Sequence, residues 1–464
     1  MAIDGQTMAE PGLAVPRVGF GHDVSLPSRL VRGACPSLAS PMQTGDGLLV
    51  RLRPSTSGLT PSQFRQLAQA AARHGNGLLE ITARGNLQLR GLSRETMPGL
   101  EADIARAGIT PEIGLTIETP PLSGLDPAEI ADARAMAARL REALAQLPVP
   151  LRLAPKLTIV IETGGLLSLD KVTADIRLMA TPMADGKPQW RISVGGTRWT
   201  AVPISVASDE QTPAIVLDLL KTLDGLGARA RGRDLAASRP VLAEHAAVSS
   251  AEQTTPCVGL HRLAPDAMVL GLRLAFGQIH AAELITFLDI AETQGVHEIR
   301  TAPDHALLLL GTSAGTMEKL QMRAADFGFW IDADTPASHI ATCAGAGGCA
   351  SASYRTKELA ARAVDWLPDL LDGSIVLHLS GCPKGCAHPG ASAIAVVGLP
   401  TGFGLVAGDK ASAAPVAVVD EMTLERTLRR LADRVAGAKA AGESVGECLT
   451  RLGSDPIVAA LRQE

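Results

Sequence analysis

The chain of 464 residues is poor in aromatic side chains, in positive charge and in long apolar runs. Aromatic residues make up 3% of it, with a single tyrosine, and the formal net charge is −5. A chain with neither a basic surplus nor many stacking side chains is not a typical nucleic-acid-binding protein. No apolar run reaches the roughly 18–20 residues that a membrane-spanning helix requires. We therefore expect no nucleic-acid partner and no membrane partner.

The N-terminal sequence also lacks the features of a secretion signal. It carries Asp4 and no apolar core segment, and its glycines and prolines favour a flexible lead-in. We expect a cytoplasmic protein. In that compartment thiols stay reduced, so clustered cysteines indicate metal binding or catalysis more than disulfides.

Two stretches of the chain show the same order of predicted elements. Residues 48–53 predict a strand, a helix capped by Thr60 follows, and residues 78–92 predict a hairpin that turns at Gly85 and Asn86. Residues 269–311 repeat this strand–helix–strand–strand order about 218 residues later. Repetition at a fixed offset indicates a duplicated protein.

A longer α/β stretch follows each repeat. The first contains a predicted helix over residues 127–147, and the second ends in a helix that starts near Thr423. The predicted divisions are a flexible lead-in (1–30), a first half-unit (31–110), a first α/β domain (111–240), a linker (241–258), a second half-unit (259–335) and a second α/β domain (336–464).

Four of the seven cysteines form the motifs CAGAGGC and CPKGC, which contain Cys343, Cys349, Cys382 and Cys386. The glycines between them let the backbone approach a bulky anion closely. Structural zinc usually takes more closely spaced cysteine pairs than the first motif offers, and disulfides do not suit the compartment. Four thiolates in this setting favour a [4Fe–4S] cluster.

The other three cysteines carry less information. Cys257 and Cys448 are expected to be small buried apolar residues. Cys35 is either a further ligand or a core residue, and the core is favoured.

The spacing of these cysteines, the stretch SGCPKGCAHPG and the stretch TARGNLQLRG resemble the sulfite and nitrite reductase family. The resemblance implies an α+β fold with duplicated halves, each a ferredoxin-like half-unit plus a larger α/β unit. It also implies a [4Fe–4S] cluster on the four cysteines. In the reductases the last of them, here Cys386, bridges to the iron of a sirohaem.

Reductases of this family hold their small anionic substrate with two arginines and two lysines. Arg84 and Lys156 match two of these positions, and we assign them catalytic roles. Leu115 and Thr158 stand at the other two. Since loss of one well-placed charge can lower the rate by about 10²–10³, the loss of two argues against sulfite or nitrite reduction.

Two further segments, residues 32–54 and residues 270–278, resemble an oxygen-dependent branch of the family that serves aerobic cobalamin synthesis. The resemblance implies hydroxylation of precorrin-3A by O₂ at C20, with a γ-lactone formed from the ring A acetate. It implies NADH as the ultimate electron donor. Because no Gly-rich nucleotide motif is present, a separate reductase partner is expected. Resident sirohaem is not expected.

The substrate of that branch is a macrocycle with many carboxylates, which arginine binds through paired hydrogen bonds. The predicted substrate-binding residues are Arg51, Arg53, Asn86, Gln88 and Arg90. Three histidines, His297, His305 and His388, are expected to be structural rather than iron ligands. A sirohaem-dependent reductase is the alternative function, and a non-catalytic iron–sulfur carrier is a third.

Overall fold

The structure is a computed structural model that describes residues 36–182, 186–237, 242, 254–311 and 313–462. The predicted lead-in, Cys35 and most of the predicted linker lie outside the described residues. The described residues form two compact units, one drawn from 36–42 and 48–333 and the other from 43–47 and 334–462. No helix among the described residues is long and apolar enough to cross a membrane. The finer domain boundaries stay predictions.

The elements up to residue 236 are β1 (Met42–Thr44), β2 (Gly47–Leu52), α1 (Pro61–His74), β3 (Leu78–Ile81), β4 (Leu87–Leu92), α2 (Met97–Arg106), β5 (Thr116–Glu118), α3 (Ala133–Ala145), β6 (Thr158–Glu162), β7 (Ala174–Pro182), β8 (Pro188–Gly196), β9 (Val202–Ser208), α4 (Thr212–Leu226) and α5 (Gly232–Ala236). Those from 259 to 330 are β10 (Gly259–Ala264), β11 (Ala267–Leu274), β12 (Gln278–His280), α6 (Ala281–Thr293), β13 (Glu298–Ala302), β14 (Ala306–Gly311), α7 (Ala314–Ala324) and β15 (Phe329–Trp330). The remainder are β16 (Ile340–Thr342), α8 (Gly345–Gly348), α9 (Thr356–Trp366), β17 (Leu377–Ser380), β18 (Ser392–Leu399), β19 (Gly402–Asp409), β20 (Ala417–Val419), α10 (Glu421–Ala438), α11 (Val445–Leu452) and α12 (Ser454–Arg462).

The two half-units share one topology, which confirms the predicted duplication. The first orders its strands β2-β4-β3 and the second β11-β14-β13, all antiparallel. In the chain, α1 lies between β2 and β3, and α6 lies at the corresponding place between β11 and β13. Phe64 of α1 and Phe287 of α6 are buried in one apolar core, and Leu59 exchanges two backbone hydrogen bonds with Ile299.

Local sequence explains where helix α1 begins and where the hairpin turns in the first half-unit. Helix α1 begins with a capping box, in which the Thr60 hydroxyl accepts the N–H of Gln63 and the Gln63 side chain accepts the N–H of Thr60. The predicted hairpin turns where expected, since Gly85 has a φ of +76°. A Cβ at Gly85 would lie 2.7 Å from the carbonyl carbon of Ala302, so the turn also needs glycine for space.

Strand β12 was not anticipated. The predicted strand over 269–278 breaks after β11, where Phe276 has a φ of +49° and Gly277 a φ of +75°. The residues beyond the break pair with β3, so Ile279 lies opposite Leu79. The second half-unit thus contributes a strand to the sheet of the first.

Helix α3 is shorter at its start than the predicted helix over 127–147. It begins after Asp132, whose carboxylate accepts the N–H of Arg134. The preceding residues form turns because Glu129 is engaged elsewhere. Its carboxylate accepts hydrogen bonds from the hydroxyls of Ser123 and Thr163. A tertiary contact therefore overrides helix propensity there.

The two α/β sheets also repeat one another. One has the order β5-β6-β7-β8-β9 and the other β16-β17-β18-β19-β20. In each, the first two pairings are parallel and the last two antiparallel. The connection from β17 to β18, residues 381–391, contains the second cysteine motif. Its counterpart between β6 and β7, residues 163–173, is equally long and contains no cysteine.

Candidate active site

The four motif cysteines lie at the ends of two neighbouring parallel strands. Cys343 directly follows β16, and Cys349 follows the turn α8. Cys382 and Cys386 follow β17. Because β16 and β17 are parallel and paired, their carboxyl ends meet at one edge of the sheet, and ligands bind typically at such an edge. The strand order therefore brings both motifs together.

Specific contacts show this proximity. The backbone N–H of Gly381 donates to Sγ of Cys343 across 3.3 Å. Burial raises the pKa of the Cys382 thiol, and the charges of Cys349, Cys386 and Cys343 raise it further. Four thiolates this close repel one another, so a bound cationic centre would stabilise them together.

Glycines let the surrounding backbone pack tightly. A Cβ at Gly381 would lie 2.5 Å from Cβ of Ala352, and one at Gly45 would lie 2.9 Å from the backbone of Cys349. Within the described part of the chain, no three His, Cys, Asp or Glu side chains are gathered around one metal-ion position. The thiols are thus within electrostatic range of one another without forming a single-ion site.

One side of the cysteine site is apolar and rigid. The hydroxyl of Tyr354 donates to the carbonyl of Val396 across 3.0 Å, and its ring packs edge-on against Phe403. Burial raises the pKa of Tyr354, and so do the charges of Cys343 and Cys382. A neutral aromatic wall lowers the local dielectric beside the thiols.

Two histidines lie near the second motif. His378 on β17 is fully buried, and burial lowers its pKa to about 4, so it is neutral at pH 7. Its ring lies 5.7 Å from that of His388, which bonds through Nε2 to the carbonyl of Ala391. Elsewhere, His305 bonds through Nδ1 to the carbonyl of Ile81, and His297 is exposed.

The predicted substrate-binding residues all lie in the first half-unit. Arg51 on β2 donates to Oε1 of Gln88 on β4 across 3.0 Å. Gln88 donates to Oε2 of Glu80 on β3 across 2.9 Å. Arg90 pairs with the same carboxylate oxygen at 3.2 Å. These four side chains form one polar row across three strands.

Glu118 at the end of β5 contacts one arginine and lies within electrostatic range of two more. Arg84 lies in the β3–β4 turn, with Nη1 3.5 Å from the Glu118 carboxylate and Nη2 donating to the carbonyl of Thr173 across 2.7 Å. Burial raises the pKa of Glu118, and the positive charges of Arg84, Arg53 and Arg51 oppose that rise. Arg53 also pairs with Glu112 at 3.6 Å.

The remaining predicted positions differ in exposure. Asn86 is buried and its backbone N–H donates to the hydroxyl of Thr82. Lys156 is exposed, and its carbonyl accepts from the side chain of Arg231. Leu115 packs against the core of the first α/β sheet, while Thr158 is buried and its N–H donates to Asp175.

Sequence reasoning missed the acidic members of this site. Glu80, Glu112 and Glu118 pair with the predicted arginines, yet none was singled out. Glu80 and Glu118 stand inside or at the end of strands that are otherwise apolar or neutral. An acidic residue in such a place indicates a buried partner, and that was the available signal.

Two arginines, Arg177 and Arg198, contact residues 163–173, the counterpart of the second cysteine motif. Arg177 lies 3.4 Å from the carboxylate of Glu162 and donates to the carbonyl of Val172. Asp170 pairs with Arg198 at 3.1 Å. Burial and the charge of Asp170 raise the pKa of Glu162 to about 8.

Comparison with known proteins shows which family shares this architecture. Residues 40–107 match the nitrite/sulfite reductase ferredoxin-like half domain. The solved structure of the NirA protein of Mycobacterium tuberculosis is similar with a TM-score of 0.67 and 17% identity, covering 89% of this chain and 85% of that one. The α+β fold of the sulfite and nitrite reductases, with duplicated halves, is thereby confirmed.

Among curated proteins, the chain is 46% identical to a precorrin-3B synthase of Sinorhizobium sp., over 97% of this chain and 98% of the relative. It is 25% identical to a ferredoxin–nitrite reductase of Synechococcus elongatus, over 75% and 76% of the two chains. The chain belongs to the precorrin-3B synthase family, and it is an oxidoreductase.

Proposed function

We propose that this chain converts precorrin-3A to precorrin-3B in cobalamin biosynthesis. One atom of O₂ enters the substrate as a hydroxyl at C20, and the ring A acetate closes a γ-lactone. The second oxygen atom leaves as water, which requires two electrons and two protons. The observation that carries this proposal is the 46% identity to a precorrin-3B synthase over nearly the whole of both chains.

The cysteine site suits a [4Fe–4S] cluster. Cys343, Cys349, Cys382 and Cys386 would hold it, and when bound it would supply electrons one at a time. The N–H of Gly381, aimed at Sγ of Cys343, is the kind of donor that stabilises a charged thiolate ligand. We propose NADH as the ultimate donor, acting through a separate reductase.

Three arginines would bind substrate carboxylates. Arg84 is 40% exposed and Arg53 is 22% exposed, so each can reach a ligand while its other contacts hold it. Arg51 lies on β2, two residues before Arg53, and donates to Gln88. Lys156, Asn86 and Arg90 remain predicted members of the site.

A resident sirohaem does not belong to this proposal. Two positions that carry cations in the reductases hold Leu115 and Thr158 here, and both side chains are engaged in packing. The sirohaem-dependent reductase remains the alternative function. It would show strong macrocycle absorption in the isolated protein, whereas a cluster alone gives a broad shoulder.

The test starts from protein purified without oxygen. Its absorption spectrum is recorded, and precorrin-3A, a chemical reductant and O₂ are then added. The expected product is heavier by one oxygen atom, and ¹⁸O₂ labels it. Unchanged precorrin-3A in iron-loaded protein, or a purified protein that contains sirohaem and reduces sulfite, would contradict the proposal.

A further inference from the structure

Glu118 has an unusual place among the substrate-binding arginines. Its carboxylate is 13% exposed and lies at the end of β5, where Val160 is its partner on β6. The cations whose charges act on it are Arg84 in the β3–β4 turn, Arg51 on β2 and Arg53 directly after β2. Arg84 is thus in contact with the carboxylate, and the charges of two further arginines act on it.

None of the three arginines depends on Glu118 alone for its position. Arg84 is anchored by the carbonyl of Thr173 at 2.7 Å, whereas its contact with Glu118 is 3.5 Å. The other two arginines have their own partners. Arg53 pairs with Glu112, and Arg51 donates to Gln88. An anchoring role for Glu118 is thus redundant, and its departure would leave the cations in place.

We propose that Glu118 is an internal stand-in, a carboxylate that occupies the position of a substrate carboxylate while the site is empty. When a carboxylate of the macrocycle binds the arginines, Glu118 leaves them and takes up one proton from solvent. The inference rests on the proposed function. A carboxyl that loses its counter-ions while it remains buried is more stable in the neutral form. Burial already raises the pKa of Glu118 in the empty site.

The stand-in explains how the site is stable when empty. Without Glu118, Arg84 would lack its carboxylate partner in the empty site, and binding of a substrate carboxylate would then change the charge of the site. Exchange of one carboxylate for another keeps the charge constant once Glu118 is protonated. The site would thereby select ligands that bring a carboxylate to Arg84, over neutral macrocycles of the same shape.

Isothermal titration calorimetry on the full-length protein tests this inference. The probe is uroporphyrin III, a stable tetrapyrrole with eight carboxylates, titrated at pH 7.5 in phosphate and in Tris to count protons. The wild type should take up protons on binding, and Glu118→Gln should take up fewer, by as much as one. As pH rises, the affinity of the wild type should fall more steeply than that of the variant, by up to a further tenfold per pH unit, because binding takes up a proton.

Glu298→Gln is the matched control. Glu298 is also a strand carboxylate paired with an arginine, 2.7 Å from Arg300, and it lies in the second half-unit. This variant should keep the wild-type proton count. Equal proton uptake by the wild type and Glu118→Gln would overturn the inference and leave the proposed function intact. Failure of the wild type itself to bind uroporphyrin III would count against both.

Discussion

Gly381 and Cys343 join the two cysteine motifs, since the N–H of Gly381 donates to the Cys343 sulfur across 3.3 Å. The two residues are far apart in sequence, and the parallel pairing of β16 with β17 brings them together. This contact makes the two motifs one structural unit before any metal is considered.

Replacement of a motif cysteine should therefore remove the metal centre. Cys382→Ser is expected to lose most of the bound iron and acid-labile sulfide, because one of four thiolate ligands is gone. Iron and sulfide per chain and the electron paramagnetic resonance signal after reduction are the measurements. Cys448→Ser is the control. That cysteine is fully buried in α11, so the substitution should affect stability and leave iron content unchanged.

The tight backbone at Gly381 gives a second prediction. Gly381→Ala would place Cβ 2.5 Å from Cβ of Ala352 and 3.4 Å from Sγ of Cys343, so the cysteine turn must shift. We expect weaker iron retention on dialysis against a chelator than in the wild type. Gly437→Ala is the control, since a Cβ there meets nothing within 4 Å in helix α10. That change should raise stability by up to about 1 kcal/mol. Equal iron loss in both variants would contradict the prediction.

Local signals in the sequence predicted a large part of this fold. Thr60 caps α1 and Gly85 turns the hairpin because short-range chemistry decides both. The cysteine motifs were assigned to one cluster from their residue types and spacing, and the parallel pairing of β16 with β17 explains how the fold brings them to one sheet edge. Cys257 and Cys448 are buried, as expected.

Other features depend on contacts that no local pattern encodes. Strand β12 belongs to the second half-unit by sequence but pairs with β3 of the first. Local sequence does not encode which of the two sheets such a strand joins. Helix α3 starts late because Glu129 bonds to Ser123 and Thr163. The arginines were found through a family motif, but Glu118 was missed because its three partners come from two separate segments.

The buried pair of Arg90 and Glu80 gives a prediction about stability. The Arg90 side chain is 5% exposed and lies 3.2 Å from the Glu80 carboxylate. Arg90→Met would remove a contacting cation from that buried carboxylate, at an expected cost of about 3 kcal/mol in the free energy of unfolding. Arg323→Met, which breaks an exposed pair with Asp326, should have little effect in the same guanidinium titration. Similar midpoints for the two variants would show that Arg90 is dispensable for stability.

The raised pKa of Glu162 predicts a pH dependence of stability. An unfolded glutamate ionises near pH 4.5, whereas in the folded protein this one ionises near pH 8. Between those values the folded state holds a proton that the unfolded state has lost, so the stability contributed by this group falls as pH rises. Glu162→Gln should remove that fall. Relative to the wild type, the variant should gain about 1–3 kcal/mol between pH 5 and pH 8.

Guanidinium unfolding at matched pH values, followed by tryptophan fluorescence, measures the difference between wild type and Glu162→Gln. One of the four tryptophans, Trp190, lies buried in the same sheet as Glu162, on β8, and contributes to that signal. Asp326→Asn, an exposed acid on the same chain, should show no such trend. The opposite result, a Glu162→Gln variant that is several kcal/mol less stable at every pH, would mean that Glu162 is ionised beside Arg177. The ion pair, rather than a neutral carboxyl, would then hold residues 163–173 in place.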